Sequence, residues 1–312
     1  MTDAPPQSAD ALRGGLVVSS HGRHCMVETA DGTRVICHPR GKKSAAVVGD
    51  RVLWQPSRDE GTIERVEERR NLFYRQDEVR SKSFAANLDL VLILVAADPV
   101  FSESQLARAL IAAEDARIAP LVVLNKSDLA APYTRAWERL QPYRDMGYEV
   151  LGLSLAQAGA ARRAELLRRL AGKTTLVLGP SGAGKSTLIN LLVPGALAAT
   201  GEVSQALNSG KHTTTTTSWY WVDRAAGTAL LDSPGFQEFG LRHIAPMHLA
   251  ACMPDLRAHA QECRFYNCTH LHEPGCGVIS TVKTAYSAGG ISASRYKIYS
   301  DLFAELSAPQ RY

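Results

Sequence analysis

The chain has 312 residues, a formal net charge of +4, 45% apolar and 21% charged residues, the balance of a soluble globular protein with room for two or three cores. Its longest apolar run, "LVLILVAA" at 90–97, is far too short to span a bilayer, so no membrane partner is expected. The opening "MTDAPPQSADALRGG" lacks the basic start and apolar stretch of a secretory signal; residues 1–14 read as a flexible tail of a cytoplasmic protein whose six cysteines form no disulfide framework.

From 15 to 75 the chain is a series of short β-prone runs: "GLVVSS", "HCMVETA", "TRVICH", "DRVLWQ" and "GTIERVEE". They recur at roughly ten residues and are separated by Gly, Asp and Pro turns, the pattern of a small β-barrel of OB-fold length. A sandwich or meander is the alternative. Cys25 and Cys37 fall in these runs and read as core residues. At the end of the stretch Arg65, Arg69, Arg70 and Arg75 interleave with Phe73 and Tyr74. That interleaving suits phosphate contacts with base stacking, and equally a solvated basic linker.

From 80 to 240 strand and helix patterns alternate. "LDLVLILVAAD", "APLVVLNKSD", "YEVLGLS" and "TTLVLG" read as strands, the first continuously apolar as a doubly covered parallel strand must be. "SESQLARALIAAEDAR", "TRAWERLQPYRDMG", "AELLRRLAG" and "STLINLLV" read as helices. The alternation predicts a doubly wound α/β domain. From 241 to 312 the texture changes to a Cys/His-dense stretch and a helical tail, "SRYKIYSDLFAEL", read as a small α-rich module held by something other than a large core.

Within the α/β stretch, "GPSGAGKS" (Gly179, Pro180, Ser181, Gly182, Ala183, Gly184, Lys185, Ser186), followed by Thr187, fits the phosphate-binding loop and sits between a strand and a helix. Glycines let successive backbone N–H groups face phosphate oxygens, and the helix N-terminus adds partial positive charge. Lys185 is expected on the β- and γ-phosphates and Ser186 on Mg²⁺. Asn125, Lys126, Ser127 and Asp128 follow an apolar strand as a guanine reader. An Asp carboxylate there pairs with guanine donors that adenine lacks, and leaving it unpaired costs about 1–3 kcal/mol or more. Ser154 stands where a second loop meets the base, with Leu155 where a small residue is usual.

"LLDSPG" ends a strand in Asp-x-x-Gly. Asp232 is expected to hold Mg²⁺ through water and the Gly235 N–H to meet the γ-phosphate. Thr214 is favoured to complete the Mg²⁺ shell, although the register within 213–217 stays open. Phe236 occupies the place of the usual catalytic Gln. His212 is the candidate catalytic group, Gln237 a weaker one, and slow intrinsic hydrolysis is expected.

The base reader precedes the phosphate loop, the reverse of the usual order. The cyclic order is nevertheless intact, so only the position of the chain ends has moved, as compact domains tolerate. Switch II then runs straight into the Cys/His module, where Cys263, Cys268, His270 and Cys276 form C-x4-C-x-H-x5-C. Three thiolates and an imidazole suit one structural tetrahedral Zn²⁺. His272 is an alternative to His270, and Cys252 is a spare thiol.

"NKSD", "GPSGAGKS", "GKHTTT", "DSPGFQEFGL" and the Cys/His run, in this order and behind a β-rich domain, resemble the ribosome small-subunit-dependent GTPase A family (RsgA) over 15–312. The resemblance implies a multidomain protein: an N-terminal β-barrel (OB-fold), a circularly permuted α/β P-loop GTPase domain and a C-terminal α-rich zinc-binding domain. It further implies a monomeric enzyme that hydrolyses GTP to GDP late in maturation of the 30S ribosomal subunit. The protein would bind 16S rRNA, be stimulated by the subunit, and use His212 in hydrolysis. A GTP-regulated, zinc-stapled RNA-binding module is the competing reading; a P-loop kinase is a remote one, opposed by Asn125 and Asp128.

Overall fold

The computed structural model describes residues 12–21, 24–41, 46–57, 60–78, 80–196, 217–233, 239–283 and 289–309. Five strands open it: β1 (Arg13–His21), β2 (His24–Glu28), β3 (Arg34–Pro39), β4 (Arg51–Pro56) and β5 (Gly61–Val66). They pair in the order β1-β2-β3-β5-β4, and β4 returns to β1, which closes a barrel. Alternation fills it: Val17, Val27, Val52, Trp54 and Ile63 point inward with Cys25 and Cys37, the expected core cysteines. Gly61 lies so close to Trp54 that a Cβ there would sit 2.6 Å from the indole. Asp50 is fully buried, and its carboxylate accepts from the Val47 N–H and, bidentately, from Arg69 at 2.7 and 2.8 Å.

A hairpin of β6 (Leu72–Gln76) and β7 (Ser81–Ala86) follows, straddling the boundary expected between the first two domains. Part of the basic stretch is built into the fold. Phe73 is fully buried against Phe84 and Phe239, and Tyr74 lies on the His243 ring. Arg69 holds Asp50 and Arg70 holds Asp89, so both guanidinium groups already face carboxylates.

The α/β layer comprises β8 (Leu90–Ala96), α1 (Glu103–Asp115), β9 (Ala119–Asn125), α2 (Ala130–Arg139), α3 (Gln141–Asp145), β10 (Glu149–Gly152), α4 (Ala160–Leu170), β11 (Thr174–Leu178), α5 (Lys185–Leu192), β12 (Ser218–Asp223) and β13 (Thr228–Asp232). Strand order is β10-β9-β8-β11-β13-β12, parallel except for the antiparallel edge strand β12. All seven residues of β8 are buried, and their alternation divides two cores. Leu90, Leu92 and Leu94 meet Leu166, Leu170, Leu188 and Leu192 of α4 and α5; Val91, Ile93 and Val95 share a core with Leu106 and Leu110 of α1. The barrel leans on the β12 edge. Ser19 pairs with Ser218, and buried Glu28 accepts from the Trp221 indole at 2.7 Å and pairs with Arg34 and Arg224.

Beyond β13 come a 3₁₀ helix (Pro246–Cys252), α6 (Pro254–Ala260), α7 (Gly277–Thr281), the short β14 (Val282–Lys283) and β15 (Ile291–Ser292), and α8 (Ala293–Ser307). Leu249, Met253, Leu256, Tyr299 and Leu302 join the same core as the α1 face of the sheet. The α-rich module is thus held by a shared large core, against expectation; sequence periodicity says which residues are buried but not which partner buries them.

Candidate nucleotide-binding site and metal centre

β8, β9, β11 and β13 run parallel and end on one side, and the expected nucleotide residues stand at or just after those ends, where ligands of open α/β sheets bind. β11 leads into the 179–184 loop, which turns on Gly182 and Gly184 at φ of +78° and +105°, a region that strains other residues. Gly179 passes so close to β8 that a Cβ would meet the Leu94 carbonyl oxygen at 2.4 Å. Gly184 caps α5, which places Lys185, Ser186 and Thr187 in its first turn. The Lys185 ammonium curls back over the loop and donates to the Gly179 carbonyl at 2.7 Å and the Pro180 carbonyl at 3.2 Å.

β13 brings Asp232 opposite Val177 of β11. Burial pushes the Asp232 carboxyl up to about 6, with Lys185 pulling it down; burial likewise lowers Lys185, with Asp232 raising it. Desolvation outweighs attraction in both, so the pair sits in a poorly hydrated corner where further charge has large effect. Ser233 fixes this strand end by donating to the Val177 carbonyl at 2.8 Å.

β9 delivers the base reader. Asn125 is 5% exposed, and its side chain is fully engaged: its amide donates to the Ala183 carbonyl at 2.9 Å, and its oxygen accepts from the backbone N–H groups of Lys126 at 2.7 Å and Leu155 at 2.9 Å. One side chain thereby ties the phosphate loop, the base reader and the second base loop. Ser127 N–H donates to the Leu153 carbonyl at 3.1 Å, a second tie between the two base loops. Asp128 is solvent-exposed, and the neighbouring Ser154 hydroxyl is the main influence holding its carboxyl below the usual range. That hydroxyl is buried and makes no hydrogen bond of ordinary geometry to the described residues. At Leu155, where a small residue is usual, the backbone N–H makes the bond to Asn125, and any residue except proline supplies that donor. His212, Thr214, Gly235, Phe236 and Gln237 lie outside the described residues; of the Thr run only Thr217 is described, and it is buried.

The metal centre is assembled from one loop. Cys263, Cys268, His270 and Cys276 place their donor atoms within 4.8 Å of one another. Cys263 Sγ and Cys276 Sγ are 3.8 Å apart, and His270 Nδ1 is 3.4 Å from each. A tetrahedral ion with metal–sulfur bonds of about 2.3 Å needs sulfurs about 3.8 Å apart, so the donors fit zinc. His272 is exposed, whereas His270 is buried and is the histidine that clusters with the three sulfurs. The loop is tied from both sides. Tyr296 and Tyr299 of α8 donate to the His270 and Thr269 carbonyls at 2.8 and 2.7 Å. Glu273 accepts from the Thr269, Leu271 and His272 N–H groups; burial raises its carboxyl, but these bonds and the Thr269 hydroxyl hold it well below the usual range. Glu273 and the two tyrosines were invisible as site residues because nothing in their local sequence marks a partner.

A family profile described as RsgA GTPase matches residues 66–242. The small ribosomal subunit biogenesis GTPase RsgA of Variovorax paradoxus is 71% identical over 300 residues, covering 96% of this chain and 94% of the relative. Among solved structures, YjeQ from Thermotoga maritima superimposes with a TM-score of 0.72 at 29% identity, over 95% of this chain and 99% of that one. YloQ, described as a circularly permuted GTPase, gives a TM-score of 0.70 at 25% identity over 99% and 100%. With a permuted site tied through Asn125 and a profile match over more than half its length, the chain belongs to the RsgA GTPase family.

Proposed function

We propose that this chain is a Mg²⁺-dependent GTPase of small ribosomal subunit biogenesis. It hydrolyses GTP to GDP and phosphate while bound to 16S rRNA of the maturing 30S subunit, which stimulates turnover. It acts as a cytoplasmic monomer, with the barrel at 15–75, the nucleotide domain at 80–240 and the zinc module at 241–312. The observation that carries the reading is the Asn125 tie to Ala183, which makes base reader and phosphate loop walls of one site. Family membership and the name of the Variovorax relative support the ribosomal part.

In this reading Asp128 pairs with guanine, the Lys126 stem covers its ring, and Ser127 and Ser154 border it. Backbone N–H groups of 179–184 cradle the phosphates, and Lys185 neutralises the β and γ groups. Ser186 and Thr214 would be oxygen donors for Mg²⁺ and Asp232 would hold it through water; the ion's charge would supply phosphate neutralisation when bound. Gly235 contacts the γ-phosphate and His212 orients the attacking water. Cys263, Cys268, His270 and Cys276 hold a structural Zn²⁺, since four protein donors leave no open position for chemistry.

The test is GTP turnover titrated with 30S subunits, with 50S subunits as control. Stimulation by 30S alone is expected. Unchanged turnover with 30S contradicts the proposal and favours an RNA-binding module whose nucleotide only regulates affinity.

A further inference from the structure

The segment leaving the nucleotide domain lays a second group of metal-binding side chains against α1. Asp115 is the last residue of α1, while His248 and Cys252 lie on the 3₁₀ helix that follows β13. A carboxylate oxygen, an imidazole nitrogen and the thiol sulfur of these three all lie within 4.8 Å of one another. Asp115 Oδ1 is 3.5 Å from His248 Nε2, and its Oδ2 faces His243 Nε2 at 3.9 Å. Cys252 is 3% exposed and the His248 side chain 56%, so the group has a buried floor and a solvent-facing mouth.

We propose that Asp115, His248 and Cys252 bind a second Zn²⁺ or similar borderline divalent cation, separate from the Cys₃His centre, with solvent completing the shell. The donor chemistry selects the ion. A thiolate, an imidazole and a carboxylate are ligands of zinc-like metals, whereas Mg²⁺ and Ca²⁺ take oxygen donors. The geometry is close to what is required. Tetrahedral bonds of about 2.0–2.3 Å need donors about 3.3–3.8 Å apart; the carboxylate–imidazole pair is already there, and the thiol sulfur lies within 4.8 Å of both. His243 faces the outer carboxylate oxygen from a side chain 6% exposed and seated on Tyr74, the kind of support that orients a metal-binding carboxylate. On binding, the metal replaces the Cys252 thiol proton, which leaves to water at the mouth.

The site joins two elements far apart in the sequence. α1 belongs to the sheet, whereas the 3₁₀ helix lies downstream of Asp232. A bound ion would cross-link them and raise the thermal midpoint in proportion to the logarithm of cation concentration.

The test uses the full-length protein with its zinc exchanged for Co²⁺, comparing wild type with His248→Gln and Cys252→Ser. The expected result is one equivalent of Co²⁺ fewer in each variant, with a weaker thiolate-to-cobalt absorption band in Cys252→Ser. His248→Gln changes an exposed side chain, so it reports even if Cys252→Ser fails to fold. Equal Co²⁺ content in wild type and His248→Gln overturns the proposal and leaves an ordinary ion pair beside a core thiol.

Discussion

The Asn125 side-chain amide donates to the Ala183 carbonyl at 2.9 Å, across 58 positions of sequence. This bond crosses from the early half of the permuted nucleotide domain to the late half. Asn125→Ala removes it and strips the partner from the Lys126 and Leu155 N–H groups. The expected loss is on the order of 2–3 kcal/mol in stability, because buried backbone groups are left unpaired. Thermal or urea unfolding measures this, and GDP affinity should fall alongside it. Unchanged stability would mean water replaces all three bonds.

Asp128 decides the base. Asp128→Asn should exchange guanine preference for xanthine, since the amide presents a donor where the carboxylate accepts. The side chain is solvent-exposed, so stability should hold while specificity moves. Competition between GDP and xanthosine diphosphate reads the change directly.

The Cys₃His centre should control the stability of its loop. Removing zinc with a strong chelator, or Cys268→Ser, is expected to lower the thermal midpoint and expose 263–276 to proteases. A bound ion would contribute folding free energy to a loop that Glu273 and two tyrosines also hold. A metal-free protein with unaltered melting would contradict this.

The barrel has its own test. Arg69→Ala removes both guanidinium bonds from the fully buried Asp50; among the described residues the Val47 N–H remains. Breaking a buried pair costs about 3–5 kcal/mol; discounted for the partly exposed Arg69, about 2–3 kcal/mol is expected from denaturant unfolding. Arg40→Ala, whose side chain is 72% exposed in its pair with Glu64, should change little.

Much of this was legible in the sequence because the signals are local. The barrel strands announce themselves by alternation between turns, the phosphate loop by glycines that its backbone needs, and the base reader by four residues after an apolar strand. The cyclic motif order carried the permutation. What escaped was non-local. The arginines interleaved with Phe73 and Tyr74 suit phosphate contacts and a solvated linker equally, whereas Phe73 is buried by Phe84 of the adjoining strand and by Phe239, far along the chain. Leu155 ties the base loops through its backbone N–H to Asn125, a bond that side-chain identity does not reveal. The shared core under the zinc module depends on partners from α1 that no periodicity names.

In the proposed reading one cavity takes one nucleotide, with the base held by Asp128 and the phosphates by Lys185. The most direct measurement is calorimetric titration of xanthosine diphosphate into Asp128→Asn, with and without Lys185→Ala. Tight binding to the single variant is expected, weakened by the second change by about 1.5–3 kcal/mol, roughly ten- to a hundredfold. If Lys185→Ala left that binding untouched, the two residues would serve different cavities and the account would be contradicted.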